Sequence, residues 1–102
     1  MGNEYQDKIY IIGSVHSNAE DIKKTADYYI STGRYQVRYV KPSSRPIEPL
    51  ILECFKNIIW SDRVYIVPKP DGTIGDGVTY EKVFAKIIGK RVEEVPHWVQ
   101  KD

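Results

Sequence analysis

The sequence predicts a single three-layer α/β domain over residues 1–102, with a mainly parallel sheet of four or five strands between helices. A chain of 102 residues has room for one hydrophobic core and not for two. Its apolar residues change period repeatedly, from short continuous or alternating runs to helical spacing. The resulting order, β-α-β-α-β-α-β, requires right-handed crossovers and therefore helices packed against a parallel sheet.

The first half of the chain supplies two strands and a helix. The apolar run Ile9–Ile12 predicts a buried strand. Ser17 and Glu20 have the spacing of a capping box, so a helix is expected over 18–32, and the glycine that follows is its natural end. Residues Tyr35–Val40 alternate between apolar and polar types and are rich in β-forming residues, which favours an edge strand.

The second half repeats this alternation of helix and strand. Pro49 suits the first turn of a second helix, which should run to about Trp60 because apolar residues recur at spacings of three and four. The run Arg63–Val67 predicts a third strand. After a long turn, a third amphipathic helix is expected from about Val78 to a terminal glycine, and Arg91–Val95 predicts the last strand.

Two loops of the predicted fold are expected to form its ligand-binding edge. In α/β sheets ligands bind beyond the carboxyl ends of the strands, near the point where the strand order reverses. The turn 13–17 after the first strand and the loop 68–80 after the third should therefore meet.

Charge and composition exclude several classes of function. Fifteen basic and fourteen acidic residues give a net charge of +1, which argues against a nucleic-acid-binding surface. No apolar run approaches the roughly 18–20 residues of a membrane helix, and the polar start lacks a secretory signal, so a cytoplasmic location is expected. Cys54, His16 and His97 have no disulfide or metal-ligand spacing, so no metal is expected. The eight tyrosines suit half-exposed surfaces that stack a base or line a subunit interface.

The turn after the first strand is a candidate anion site. Gly13 and Ser14 precede a helix, where backbone amides, a hydroxyl and the positive helix end can bind a phosphate. His16 is a further candidate phosphate ligand. The alternatives are an ordinary strand-to-helix turn and a solvated histidine, and neither the dinucleotide fingerprint nor the Walker pattern is present.

Glu81 is the candidate catalytic carboxylate. Near the start of the third helix, the helix dipole should keep it ionised and aim it at the ligand-binding edge, as a carboxylate nucleophile requires. The alternative is a carboxylate that only stabilises the first turns of its helix. Cys54 lies in the apolar stripe of the second helix, which predicts a core position.

Three ordered blocks of the sequence resemble one known family. They are Ile9–His16 followed by Ala19–Asp21, Ser61–Val67, and Gly77–Ala85 followed by Gly89–Lys90. The first places a tyrosine three residues before a Gly-Ser pair, and the third places an aromatic-Glu pair after a glycine. In these blocks the chain is similar to the nucleoside 2-deoxyribosyltransferase family, and most of all to its 2′-deoxynucleoside 5′-phosphate N-hydrolase branch.

The resemblance implies a flavodoxin-like or Rossmann-like fold, no cofactor, and chemistry on the N-glycosidic bond of a small-molecule nucleoside or nucleotide. Glu81 matches the family's nucleophile, which forms a covalent glycosyl ester, and Tyr10 matches the tyrosine whose hydroxyl positions it. Ser14 and the amides around it would hold a 5′-phosphate. Gly75 and Gly77 would let the loop approach the sugar closely. Family members are oligomers, so a homodimer or higher homo-oligomer is expected.

The chain departs from the family at several of these positions. Cys54 occupies the place of a helix-two aspartate that assists the leaving base, and the neighbouring Glu53, turned by about 100° on the helix, is the remaining carboxylate for contact with substrate. His16 stands where the hydrolases have arginine, which makes phosphate binding dependent on pH. The alternative function is a non-catalytic nucleotide-binding or regulatory domain of the same fold.

Overall fold

Four parallel strands form one sheet, and three helices connect them. The computed structural model describes residues 7–40, 47–69 and 71–94, with the backbone only for 15–18 and 47–51. The elements are β1 (Asp7–Gly13), α1 (Val15–Ser31), β2 (Tyr35–Tyr39), α2 (Ile47–Trp60), β3 (Arg63–Val67), α3 (Asp76–Ile87) and β4 (Arg91–Glu94). The predicted α/β fold class and the parallel sheet are therefore confirmed.

The strands lie in the order β2-β1-β3-β4, and every neighbouring pair is parallel. This order equals that of the first four strands of flavodoxin-like sheets. The strand order reverses between β1 and β3, and β2 forms an edge as its alternation predicts. Register pairs Gly13 with Val67, so the loops that follow β1 and β3 start side by side.

The predicted boundary that differs most is the start of the first helix. Helix α1 begins at Val15, three residues before the expected start, with Ser14 as its N-cap residue in extended conformation. The predicted capping box is therefore wrong, because Ser17 lies inside the first turn. Its spacing to Glu20 also fits one turn of a helix already formed, and the sequence pattern does not separate the two cases.

The remaining boundaries agree within a few residues. Strand β3 has the predicted bounds, α3 begins at Asp76 instead of Val78, and β2 ends one residue earlier than expected. The Val40 amide still donates to the Ile11 carbonyl at 3.1 Å. The predicted strand residue Val95 lies outside the described part of the chain, as do His97 and Trp98.

The two faces of the sheet carry separate cores because side chains alternate along each strand. On one face α1 packs against a cluster of Ile9, Ile11, Ile22, Ala26, Tyr65 and Val67. On the other face α2 and α3 pack against a cluster of Tyr10, Ile12, Ile58, Val64, Ile66, Val78 and Ala85. The sheet is thus the middle of three layers.

The end of β1 is tightly packed against both its neighbours. A Cβ on Gly13 would stand 3.0 Å from the Val67 carbonyl oxygen and 3.0 Å from Ile22 Cδ1. Any larger residue would push β1 away from β3 or α1 away from the sheet, so the space, and not the backbone angle, requires glycine here.

Within 7–40, 47–69 and 71–94, no helix combines the length and the apolar character needed to cross a membrane.

Candidate functional site

Tyr10 places a polar group inside the core between the sheet and the α2 and α3 helices. It lies in the middle of β1 and is 1% exposed. A hydroxyl buried this deeply needs hydrogen-bond partners. It donates to the Cys54 sulfur and accepts a hydrogen bond from the Asn57 side chain. Burial is the largest of several causes that raise the pKa of Tyr10 far above its ordinary value, so the phenol stays protonated.

Cys54 joins Tyr10 to the candidate nucleophile. Its thiol on α2 is 5% exposed, accepts a hydrogen bond from Tyr10 and donates one to Glu81. Burial raises the pKa of the thiol to about 12, with a smaller contribution from the negative charge of Glu81. The core position predicted for Cys54 is confirmed, but its thiol is also a polar link between two predicted catalytic residues.

Glu81 lies in the second turn of α3 and is half-buried. Burial raises the pKa of its carboxyl group, while the hydrogen bond from Cys54 acts in the opposite direction. The helix dipole contributes little here, because Glu81 is the sixth residue of α3, beyond the first turn where the dipole acts most strongly, and desolvation dominates. That Glu81 is ionised near neutral pH stays a prediction.

Tyr10 and Glu81 lie near each other, and Cys54 stands between them. The resemblance implied a hydrogen bond from the Tyr10 hydroxyl to a Glu81 oxygen. In the structure Tyr10 donates to the thiol, and the thiol donates to the carboxylate. The two residues still share one buried hydrogen-bonded cluster, which we call the Tyr10–Cys54–Glu81 cluster.

Two further residues extend this cluster toward the surface, and sequence reasoning missed both. Arg38 donates from Nη1 to the Asn57 side-chain oxygen at 2.9 Å, and its guanidinium lies 4.1 Å from the centre of the Trp60 ring. Asn57 follows Cys54 by one helical turn. It is therefore a polar residue inside the apolar stripe of α2, and this feature of the sequence could have identified it. Arg38 gave no local signal, because only the strand register shows that it is the neighbour of Tyr10.

The predicted phosphate-binding residues lie where β1 runs into α1. Gly13 is buried at the end of the strand, and Ser14 is half-buried at the N-cap position. His16 lies in the first turn of α1, and its side chain is outside the described part of the structure. Their position at the amino end of a helix fits the expected anion-binding geometry, and their function remains a prediction.

The other predicted substrate contacts surround the start of α3 and the exposed side of α2. Gly75 is the N-cap residue of α3, and a Cβ there would stand 3.9 Å from Lys69 Nζ. Gly77 is exposed in the first turn of α3. Glu53 is exposed beside Cys54 and is the weakest of the influences that raise the thiol pKa. Glu53 thus stays outside the buried cluster, as a one-residue shift on a helix predicts.

The second of the family-like blocks has a structural role. The Asp62 amide donates to the Lys8 carbonyl at 2.8 Å, and the Lys8 amide donates to the Asp62 carboxylate at 3.0 Å. The buried Ser61 hydroxyl donates to the Ile58 carbonyl at 2.8 Å and closes α2. These bonds fix the entry of β3 beside β1, which places Tyr10 opposite Val64.

The described side chains contain no group of three or more His, Cys, Asp or Glu that could hold a metal ion. Fold and cluster together define a three-layer α/β domain with a half-buried, hydrogen-bonded carboxylate on the helix after its third strand. No protein-family model matches the chain, and comparison with curated proteins gives no significant match. A functional assignment therefore rests on the three sequence blocks and on the geometry of this cluster.

Proposed function

We propose that this protein cleaves or transfers the N-glycosidic bond of a (deoxy)nucleoside or nucleoside 5′-monophosphate, with Glu81 as the nucleophile. The observation that carries the proposal is the thiol of Cys54, which donates to Glu81 while Tyr10 donates to the thiol. This arrangement fixes a half-buried carboxylate in one orientation. Such positioning is what a reaction at a sugar carbon requires of its nucleophile.

The reaction divides into two displacements at the anomeric carbon. A Glu81 oxygen forms a bond to C1′, and the C1′–N bond breaks with its electron pair moving to the base. Water, or a second base in the transfer reaction, then attacks C1′ and releases the Glu81 carboxylate, and the proton of the attacking group passes to solvent. The positive charge that develops on the sugar in both steps is stabilised by the nearby carboxylate, as in retaining glycosidases.

The substrate phosphate, when present, binds at the start of α1 in this proposal. Gly13 brings the end of β1 close to β3 and α1, and Ser14 with the following amides faces the anion at the positive helix end. His16 adds a charge-assisted contact when it is protonated. Gly75 and Gly77, at the start of α3, lie beside the sugar.

The leaving base obtains its proton from solvent. The Cys54 thiol, whose pKa is about 12, holds its proton too firmly to act as an efficient acid near neutral pH. Glu53 is exposed on the same helix and contacts the base from the open side. Slow release of bases that need protonation is the expected consequence.

The same thiol favours a second candidate function, a non-catalytic nucleotide-binding domain. A buried thiol in place of a carboxyl group removes the acid that base departure would use, while the fold and the α1 amino end would still bind a nucleotide. Turnover, and not binding, therefore separates the two candidates.

The working unit in this proposal is a cytoplasmic homo-oligomer. Large apolar side chains are exposed on both helices of the α2/α3 layer: Leu52 and Ile59 on α2, and Tyr80, Val83 and Ile87 on α3. Exposed apolar residues grouped on neighbouring helices are typical of association surfaces. Light scattering coupled to size-exclusion chromatography should give a mass of two or more chains, and a monomeric mass would contradict this part.

The enzyme proposal is tested with a panel of nucleosides and nucleoside 5′-monophosphates, assayed for free base. Wild type should release base from at least one substrate, and Glu81→Gln should reduce that release by at least about a hundredfold, since it removes the nucleophile but keeps the shape. Glu94→Gln, on the exposed end of β4, is the matched control and should retain full activity.

Three outcomes decide between the candidates. Base release lost only in Glu81→Gln supports the enzyme. Thermal stabilisation by a nucleotide without base release from any substrate supports the binding domain. If no compound is cleaved and none raises Tm, both proposals are rejected.

A further inference from the structure

A continuous path of hydrogen bonds connects the surface of the protein to Glu81. Its members, in order, are Arg38, Asn57, Tyr10, Cys54 and Glu81. The path crosses from strand β2 to helix α2, to strand β1, back to α2, and on to α3. Its middle members, Tyr10 and Cys54, are 1% and 5% exposed, so solvent does not compete for these bonds.

The two ends of this path determine its direction. An arginine side chain has only donors, and an ionised carboxylate has only acceptors. Because Arg38 donates to the Asn57 side-chain oxygen, the amide nitrogen of Asn57 must face Tyr10. A side-chain amide on its own has no such preference between its two ends.

The orientation of Asn57 then determines the direction of every later hydrogen bond along the path. The amide donates to the Tyr10 oxygen, so the Tyr10 hydrogen points to the Cys54 sulfur. The thiol hydrogen in turn points to Glu81. Hydrogen bonds aligned in one direction strengthen one another, so each donor along the path strengthens the final hydrogen bond, from the Cys54 thiol to Glu81.

The path is built on rigid elements of the fold. Arg38 and Tyr10 are register partners on adjacent strands, and Cys54 and Asn57 are one turn apart on α2. The Arg38 guanidinium also packs 4.1 Å from the centre of the Trp60 ring, which restricts its own movement. Sites held by strands and helices are more exact in geometry than sites held by loops.

We propose that Asn57 and Arg38 are positioning residues for Glu81: Arg38 orients the Asn57 amide, which orients Tyr10 and, through the Cys54 thiol, one oxygen of the carboxylate. The other carboxylate oxygen then faces the substrate. The positioning of a nucleophile rests on the proposed function, whereas the direction of the hydrogen-bond path does not.

The hydrogen-bond path can be tested by spectroscopy, without an enzyme assay, because Cys54 is the only cysteine of the chain. The S–H stretching band in the Raman or infrared spectrum of the intact protein therefore comes from one thiol. The band should lie at lower frequency than that of the denatured protein, since a donating S–H bond is weakened. It should move to higher frequency in Glu81→Ala. A wild-type band at the denatured position would overturn the proposal.

Asn57→Asp is the variant that reverses the path while keeping the side-chain shape. An aspartate still accepts from Arg38 but cannot donate, so the Tyr10 hydroxyl turns toward it and leaves the thiol. The S–H band should then shift to higher frequency. Gln36→Glu adds the same charge on the exposed face of β2 that carries Arg38 and should leave the band unchanged. An unchanged band in Asn57→Asp would overturn the proposal.

The role of Arg38 is tested by two substitutions of Arg38 itself. This test remains valid even if the Asn57→Asp variant folds poorly. Arg38→Met removes the donor and frees the amide to flip, so the S–H band should broaden and shift upward. Arg38→Lys keeps a donor and should restore most of the wild-type band. Equal spectra for the two variants would show that Arg38 supports α2 only by packing, and would overturn its positioning role.

Kinetics complete the test if base release is found. Asn57→Asp should lower kcat by about tenfold, the effect of one hydrogen bond of about 1.4 kcal/mol, with KM nearly unchanged. A rise in KM at constant kcat would contradict positioning of the nucleophile. If no base is released at all, the proposed function fails while the spectroscopic result still decides the direction of the path.

Discussion

Both faces of the sheet bury tyrosine, but they use it differently. On the α1 face Tyr29 lies against Tyr35 and Tyr65 with ring centres 5.6 and 5.1 Å apart. On the α2/α3 face the Tyr10 ring packs in the core, and its hydroxyl lies inside the hydrogen-bond path. The first arrangement consists mainly of ring contacts, with the part-buried Tyr65 hydroxyl accepting from Arg63 at 3.5 Å, whereas the second depends on a hydroxyl inside the core.

The difference separates the tyrosines that stabilise the fold by ring contacts from Tyr10, whose hydroxyl belongs to the candidate site. Aromatic contacts of this kind stabilise a fold by about 0.5–1.5 kcal/mol per pair and tolerate changes at the ring edge. Loss of a fully buried hydroxyl costs about 1–3 kcal/mol, because its partners lose their hydrogen bonds with it. The tyrosine excess that suggested base stacking or an interface is therefore explained in part by packing on the α1 face.

The largest expected effect does not distinguish the two faces. Ile11→Ala on the α1 face and Ile12→Ala on the α2/α3 face each remove a fully buried side chain. Each should lower the free energy of unfolding by about 2–5 kcal/mol, measured by chemical denaturation. A much smaller loss for Ile12→Ala would mean that the α2/α3 face is loosely packed, and the rigid path would lose its support.

Tyr10→Phe should separate the faces. It removes one buried hydroxyl and leaves the Asn57 amide and the Cys54 sulfur without their partner. We expect a loss of about 1–3 kcal/mol in the free energy of unfolding, together with an upward shift of the S–H band. Unchanged stability would contradict the hydrogen-bond path.

Glu81 should make stability depend on pH. Burial raises its folded-state pKa above the ordinary 4.5, so the folded protein binds this proton more tightly than the unfolded chain. The resulting stabilisation is complete below 4.5 and is lost as pH rises through the raised pKa. Relative to Glu81→Gln, wild type should therefore lose about 1.4 kcal/mol per unit of pKa shift on going to neutral pH.

This comparison is made by urea denaturation of both proteins across that pH range. The facing groups, the thiol of Cys54 and the phenol of Tyr10, have raised pKa values and stay neutral there. A wild-type profile parallel to that of Glu81→Gln would show that Glu81 is solvated, and the buried cluster would be wrong.

Tyr29→Phe should have the smallest effect. The ring contacts with Tyr35 and Tyr65 remain, and only a hydroxyl on a half-buried side chain is lost. The change in unfolding free energy should stay within about 0.5 kcal/mol, and activity should be unchanged. A loss as large as that of Tyr10→Phe would show that both faces depend on their hydroxyls.

Periodicity predicted the fold well because each strand and helix here has a local pattern. Alternation identified β2 as an edge strand, and the apolar run Arg63–Val67 has the observed bounds of β3. The start of α1 was wrong because a capping pattern and an ordinary turn share one spacing. Elements that several features of the sequence indicate were predicted correctly. The start of α1, which a single spacing indicates, was not.

The site was only partly predictable because it joins residues distant in sequence. The family-like blocks named Tyr10 and Glu81, which the fold brings together. The role of Cys54 as a link, and the contributions of Asn57 and Arg38, depend on strand register and on how α2 packs against α3. Burial also raises the pKa of Glu81, and burial of a single carboxylate is not visible in sequence.

We propose that Glu81, held by this path, bonds covalently to the sugar. The most direct measurement is the intact mass of protein quenched within one turnover with a cleaved substrate, followed by peptide mapping. We expect a mass gain of one (deoxy)ribosyl unit, with its 5′-phosphate when the substrate is a nucleotide, located on Glu81 and missing in Glu81→Gln. Base release with no adduct, or an adduct on another residue, would contradict it.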